Sequence, residues 1–279
     1  MDAERIRGAS PRLASSAGVT RARARRRALG QHFLVDPDVV AQTIAFAALE
    51  PGAPVLEIGP GEGALTAGLL ESGHRVLAVE IDRELAALLH RHDHTRLEVV
   101  VADFLELDPG TRERLPRLVV ANLPYSTGTA ILERLLEAPE RVDRIVVMLQ
   151  REVADRLCAK PGNRTYGALT VLTALHARVR RGFDVPPSAF RPPPEVESTV
   201  IRLDVEPAPR AAVQDESGFR RVVRAAFAQR RKTLRNALAA TFGREGTEGA
   251  LERVGIDPVR RAETLSLEEF ARLAGELGG

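Results

Sequence analysis

V-L-E-I-G-P-G-E-G-A, residues 55–64, is the stretch whose reading decides the fold. An apolar run, Val55–Ile58, enters a turn with glycine at positions 59, 61 and 63, and a helix-compatible stretch follows from Ala64 to Leu70. Glycine adopts backbone conformations and permits close approaches that a Cβ blocks. A strand, a tight turn and a helix N-terminus make a nucleotide-sized cradle at the carboxyl end of a parallel strand. The next apolar run, Val76–Val79, ends in Glu80, whose carboxylate suits a ribose diol. The same turn satisfies G-x-G-x-x-A. Taken alone it admits a methyl donor such as S-adenosylmethionine, a dinucleotide such as NAD or FAD, or no ligand.

Outward from this turn the pattern alternates. Strands are expected at 55–58, 76–79, 97–101, 118–121 and 144–148, with helices at 64–70, 83–91, 129–137 and 150–158. Strands separated by helices predict an α/β fold, a doubly wound and mostly parallel sheet. Two further runs, 176–180 and 198–203, should close its edge as an antiparallel pair, joined by the Pro-rich loop V-P-P-S-A-F-R-P-P-P-E-V. Before the turn, Asp36-Pro37 opens a helix, with Asp as cap and Pro at the first helical position. Beyond Pro209 the texture becomes helical: one long helix over 217–240, a second over 248–254, and a last one opened by Ser266 with Glu269 at its third position. The boundaries that follow are a basic N-terminal arm at 1–28, expected to be disordered, an α/β domain at 29–208 and a small all-helical domain at 209–279.

The fourth strand carries the chemistry. It ends in Asn122-Leu123-Pro124-Tyr125. The Asn122 side chain and the carbonyl of the Leu123-Pro124 link offer two acceptors for the protons of an exocyclic amine, and Tyr125 offers a flat face for the same base. Two acceptors help draw the N6 lone pair of an adenine out of conjugation and toward the sulfonium methyl of a donor. Such catalysis works by positioning and electrostatics. A dehydrogenase has no comparable use for this tetrapeptide, so methyl transfer is the better reading. Asp103, at the end of the third strand, is placed to accept from the adenine amino group of the donor or, more plainly, to cap a turn.

These segments, together with Q-H-F-L, E-I-D-R-E-L, A-D-F, Q-R-E-V-A-D-R-L, Y-G-A-L, V-P-P-S-A-F-R-P-P-P-E-V-E-S-T-V-I-R-L and F-A-Q-R-R-K-T-L-R-N-A-L, resemble the bacterial small-subunit ribosomal RNA adenine dimethyltransferases. The resemblance runs in order over about residues 29–272. It implies a Rossmann-like class I methyltransferase fold with a seven-stranded sheet. It further implies N6,N6-dimethylation of two adjacent adenosines in the 3′-terminal hairpin of 16S rRNA, within an immature small subunit late in assembly. S-adenosyl-L-methionine would be the donor and S-adenosyl-L-homocysteine the product, with no metal. Carried onto this chain, His32, Leu34, Gly59, Gly61, Glu80, Asp103 and Asn122 would hold the donor. Asn122, Leu123, Tyr125 and Phe190 would serve the target base. The family usually has Q-N-F-L where this chain has His32, and often Pro where it has Ala130; a histidine ring nitrogen can still donate. A sister family that methylates a large-subunit rRNA adenine shares most of these features, but F-A-Q-R-R-K-T-L-R-N and V-P-P-S-A-F favour the small-subunit enzymes.

Composition fits this reading. The 279 residues are 44% hydrophobic and 28% charged, enough for one substantial core and a small second domain. No apolar stretch is long enough to cross a bilayer, no secretory signal opens the chain, and the single cysteine, Cys158, excludes an intramolecular disulfide. A cytoplasmic monomer is expected. Net charge is only +2, yet residues 21–27 hold five arginines, and 220–235 hold six with Lys232 and no acid. Basic surface in chosen places suits phosphate contacts. Arg220, Arg224, Arg231 and Arg235 recur at helical spacing and are the expected RNA-binding stripe. At 4% aromatic residues, a base-stacking platform across a sheet is not expected.

Overall fold

A computed structural model describes residues 32–91, 94–229 and 231–278. The N-terminal arm at 1–28 and its arginines lie outside the described residues. From His32 onward the chain forms one compact unit.

In chain order the strands are β1 (Phe33–Leu34), β2 (Pro54–Ile58), β3 (Arg75–Glu80), β4 (Leu97–Val101), β5 (Leu118–Asn122), β6 (Arg144–Gln150), β7 (Ala177–Val185), β8 (Phe190–Arg191) and β9 (Ser198–Val205). The helices are α1 (Pro37–Ala47), α2 (Ala64–Glu71), α3 (Arg83–His90), α4 (Pro109–Arg112), α5 (Gly128–Leu135), α6 (Arg151–Leu157), α7 (Ala168–Ala174), α8 (Glu216–Phe227), α9 (Leu234–Phe242), α10 (Arg244–Arg253) and α11 (Leu267–Leu277).

Seven strands make one sheet in the order β4-β3-β2-β5-β6-β9-β7. The first five run parallel, and β9 lies antiparallel between β6 and β7. The expected edge pair is therefore present, with the later strand inserted inside the earlier one. Alternate residues of a strand face opposite sides of a sheet. In β6, Ile145, Val147 and Leu149 join the core on one face, while Val146 and Met148 join that on the other. Both faces are apolar because helices cover both, as a parallel sheet requires. α1 and α2 pack on the second face; the side chain of Val40 and that of Ile44 come so near Gly68 that a Cβ there would lie 2.5 and 2.9 Å from them.

Helix starts follow the sequence closely. Asp36 accepts from the backbone N–H of Asp38 and Val39, with Pro37 at the first helical position. Ser266 accepts from Glu269 N–H at 3.2 Å while the Glu269 carboxylate accepts from Ser266 N–H at 2.8 Å, the reciprocal cap that S-L-E-E predicts.

The expected long helix over 217–240 is instead two. α8 stops at Phe227, and α9 begins at Leu234 after Thr233 takes an extended conformation. Phe227 and Leu234 are seven residues apart, which keeps helical phase and hides the break from a periodicity argument. Between them A-Q-R-R-K-T brings consecutive cations and a threonine, a residue type that favours a helix start over a helix interior. The inward residues were legible: Phe219, Val223, Leu234 and Leu238 are fully buried. They form a core with Phe270 and with Tyr166, Leu172 and Leu175 from around α7, an element the periodicity did not announce.

Phe270 is 0% exposed and its ring lies 5.7 Å from that of Phe227. Phe270→Ala should therefore cost about 3–5 kcal/mol, read as a lower urea midpoint; a loss below about 1 kcal/mol would mean that α11 is not held by this core.

Candidate active site

The glycine turn sits where β2 ends, and its neighbours are the ends of β3, β4 and β5. Gly59, Gly61 and Gly63 have φ of +66°, +61° and +88°. At Gly61 the conformation and the space agree: a Cβ would lie 2.8 Å from the Phe33 ring. The N–H of Gly61 points to the Glu80 carboxylate at 3.1 Å, and the other carboxylate oxygen accepts from Asp82 N–H at 2.8 Å. Glu80 is thus oriented before any ligand arrives. Burial pushes its pKa above the usual carboxylate range. Beneath the turn Glu57, 1% exposed, accepts from the Thr66 hydroxyl at 2.6 Å. Its carboxyl is raised to about 8, chiefly by burial and further by the nearby Glu80, while the Thr66 bond opposes the shift. Asp103, at the end of β4, accepts from Leu105 N–H at 2.9 Å and so caps a single turn of 3-10 helix. The plain role foreseen for it is present, and one carboxylate oxygen is left over.

At the end of β5 the Asn122 amide nitrogen donates to the His32 carbonyl at 3.2 Å. Only the nitrogen can donate, so the amide oxygen faces the other way and remains an acceptor. Leu123 is buried, and its N–H reaches the Met148 carbonyl at 3.3 Å. The Tyr125 hydroxyl lies 2.5 Å from Ser198 Oγ, and its ring meets that of His32 with centroids 5.3 Å apart at 35°. Burial raises the phenol's pKa, so Tyr125 stays neutral.

Residues 32–35 form a strap across this region. His32 Nδ1 donates to the Pro192 carbonyl at 2.8 Å. β1 pairs antiparallel with β8, Phe33 opposite Arg191 and Leu34 opposite Phe190, and Val35 N–H reaches the Ala189 carbonyl at 2.9 Å. The strap therefore touches the glycine turn through Phe33, the end of β5 through His32, and the Pro-rich loop through β8. Leu34 is 5% exposed and Phe190 3%, and both pack in the core beside α1 and α2. Phe190 was expected beside the target base; the ring that Tyr125 meets here is His32.

The structure thus gathers His32, Gly59, Gly61, Glu80, Asp103, Asn122, Leu123 and Tyr125 at the carboxyl ends of the parallel strands. It does not unite the four arginines in a stripe. Arg220 and Arg224 are on α8, Arg231 is in the connection, and Arg235 is on α9. Arg224 pairs with Glu133 of α5 at 3.5 Å, Arg235 with Glu248 at 3.8 Å, and Arg220 reaches the Leu136 carbonyl at 3.4 Å. The break between α8 and α9 is the reason. Phe33, Ser198 and Pro192 carry no local signal: the Phe33 ring meets a turn beyond α1 and β2, Ser198 meets Tyr125 across 73 residues, and Pro192 acts through a backbone carbonyl.

The arrangement suits a sulfonium nucleoside: positive-φ glycines free of side chains, acidic acceptors at the ends of β3 and β4, and an amide oxygen left as an acceptor at the end of β5. Among the described residues no group of three or more His, Cys, Asp or Glu side chains is placed to hold a metal ion, and no helix is long and apolar enough to cross a membrane.

Comparison with known proteins agrees with this geometry. Residues 22–278 match the family model described as ribosomal RNA adenine dimethylase. The ribosomal RNA small subunit methyltransferase A of Syntrophotalea carbinolica is 49% identical over 251 residues, covering 89% of this chain and 95% of that protein. Its counterpart from Magnetococcus marinus is 47% identical, covering 88% and 89%. Among solved structures, a dimethyladenosine transferase from Plasmodium falciparum superposes with a TM-score of 0.71 at 24% identity, over 87% of this chain and 96% of that one, which speaks for the fold. The 23S rRNA methyltransferase ErmE superposes at 0.65 with 29% identity, over 88% and 100%.

Glu57 supplies a test that needs no ligand. Its folded pKa, about 8, lies above the ordinary value of 4.5, so the folded state keeps a proton that the unfolded state releases. The associated stability is fully present below pH 4.5 and is lost as pH rises toward 8. Glu57→Gln keeps the acceptor for Thr66 and does not titrate. Its thermal stability relative to the parent should improve from pH 5 to pH 8.5, by up to a few kcal/mol; a constant difference would contradict the buried, protonated carboxyl.

Proposed function

The chain belongs to the ribosomal RNA adenine dimethylase family, and on that premise we propose that it is the S-adenosylmethionine-dependent enzyme that dimethylates N6 of two adjacent adenosines in the 3′-terminal hairpin of 16S rRNA. The substrate is the rRNA of an immature small subunit, and the work is that of a cytoplasmic monomer. The observation that carries the reading is the Asn122 amide at the end of β5, whose nitrogen is taken by the His32 carbonyl and whose oxygen is left as an acceptor.

When bound, the donor supplies an electrophilic methyl group on a sulfonium. The chain's own residues do the rest. Gly59 and Gly61 let the backbone come close to the methionine portion of the donor, with His32 and Leu34 closing that side. Glu80 keeps unshared lone pairs for the ribose hydroxyls while Gly61 and Asp82 hold it in place, and the free oxygen of Asp103 receives from the donor's adenine. Asn122 Oδ1 and the Leu123 carbonyl accept the two N6 protons of the target base. Drawing those N–H bonds out of the ring plane restores a nitrogen lone pair for the methyl. The N–C bond would form as the S–CH3 bond breaks, releasing S-adenosyl-L-homocysteine, and one N6 proton would then pass to solvent. Tyr125 supports the base with its ring, and Phe190 forms the wall behind the strap. Both acceptors act where charge changes in the transition state and are oriented beforehand, the condition under which electrostatic stabilisation is most effective.

The segment at 209–279 would position the RNA through phosphate contacts, which orient without reading sequence. Arg224 and Arg235 each have a carboxylate neighbour, Glu133 and Glu248, that would compete with a phosphate; Arg231 is exposed.

Asn122→Ala should leave donor binding largely intact while methyl transfer falls by roughly 100-fold or more, the loss of about 3 kcal/mol of transition-state stabilisation. Mass analysis of nucleosides from treated immature subunits would separate adenosine from its mono- and dimethylated forms, and parental rates of dimethylation would remove Asn122 from the reaction centre. Replacing Arg224, Arg231 and Arg235 by alanine should weaken RNA binding and lower the salt slope by roughly one unit per lost contact, with donor affinity unchanged. An unaltered slope would assign these side chains to ordinary solvated surface.

A further inference from the structure

We propose that Ser198 is a positioning residue for Tyr125: its hydroxyl, fixed inside the sheet, holds the phenol in the direction that the methyl-transfer site needs. The inference rests on the functional reading of Asn122-Leu123-Pro124-Tyr125 given above and adds a residue from outside that segment.

Three observations carry it. The first is contact: Tyr125 OH and Ser198 Oγ are 2.5 Å apart across 73 residues of sequence. Ser198 is also rigid. It is 0% exposed and opens β9, where its backbone lies opposite Gln150 of β6 on one side and Val185 of β7 on the other. A serine at a strand edge could follow a moving tyrosine; one flanked by two paired strands cannot. The third is division of labour. The phenol oxygen lies on the axis about which the ring turns, so a bond there fixes where the ring points but not its tilt. Tilt is limited from one face by the His32 ring at 5.3 Å. His32 is itself held at Pro192, and its carbonyl orients Asn122. Base support and base acceptor are thus referred to one frame, by Ser198 from the sheet and by His32 from the strap.

Dimethylation at a single nitrogen makes this demanding. After the first transfer the base carries one N–H and must be presented again in a new rotation. A ring displaced by about an ångström can cost as much as 100-fold in rate, and the second addition, with fewer hydrogen bonds to guide the base, should suffer more than the first.

The test uses the full-length enzyme with immature small subunits and compares the parent with Ser198→Ala, Tyr125→Phe and the pair together. Each single variant should lower kcat by about 10-fold, the loss of one neutral hydrogen bond, with the KM for the donor unchanged and monomethyladenosine accumulating. Because both remove one bond, the double variant should lose no more than either single variant. Ser198→Thr, which keeps the hydroxyl, should recover most of the rate. Parental kinetics in Ser198→Ala, or losses that multiply in the double variant, would overturn the proposal, the latter showing that Ser198 acts on the sheet alone. A second readout is independent of RNA. The Ser198 bond lowers the phenol's pKa, so ultraviolet titration, referenced to Tyr125→Phe to remove the other tyrosine, should move upward in Ser198→Ala. A parent enzyme inactive on rRNA would sink the functional reading and leave this result to stand.

Discussion

The hydrogen bond from Gly61 N–H to the Glu80 carboxylate is the constraint on which the rim at the strand ends depends. It joins the turn after β2 to the end of β3, beside backbone bonds from Gly59 to Val79 at 2.9 Å and from Ala102 to Glu80 at 3.0 Å. Three strand ends are stitched into one rim by these contacts. The stitching places a carboxylate where it is largely removed from water, which is unfavourable for its charge, and the backbone donors of Gly61 and Asp82 offset part of that penalty. A site prepared in this way does not have to reorganise when its ligand arrives. Glu57 lies under the same rim and stays protonated to near pH 8, which spares the turn a second buried charge.

On the opposite side the strap at 32–35 orders the reaction centre. One short segment turns an amide, packs a ring against a phenol and fills the space above Gly61. The backbone carbonyl of His32 performs the first of these tasks, and no substitution at position 32 removes it directly. The bond that orients Asn122 is indifferent to the side chain at position 32, and the histidine ring finds its own acceptor at Pro192.

Much of this was legible in the sequence. The strand–turn–helix unit, the parallel character of β2 to β6, the antiparallel closing pair and the caps at Asp36 and Ser266 all follow from local chemistry that each residue carries in its own neighbourhood. Glu80 and Asp103 stand out in the sequence because each terminates a strand. What escaped acts at a distance or through the main chain: the pairing of β1 with β8, the ring of Phe33 over Gly61, and the bond between Tyr125 and Ser198. The break between α8 and α9 escaped for another reason. Its flanking apolar residues remain in helical phase, so the signal of continuity survives an interruption made by consecutive cations and a capping threonine. With the break, the arginines change from a stripe on one rod to groups on two helices and their connection.

The place of β9 in the sheet has a bearing on how the enzyme is made. Its neighbours are β6 and β7, both synthesised earlier, so a nascent chain that has emerged only through residue 185 exposes an unfilled slot along the whole length of β6. Pairings between strands distant in sequence form slowly, and open strand edges invite association with other chains. The strand that fills the slot brings Ser198 with it. Insertion of β9 therefore completes the sheet and supplies the hydroxyl that Tyr125 meets in one event, so an incompletely folded chain that already has its glycine turn would still lack this partner for the tyrosine.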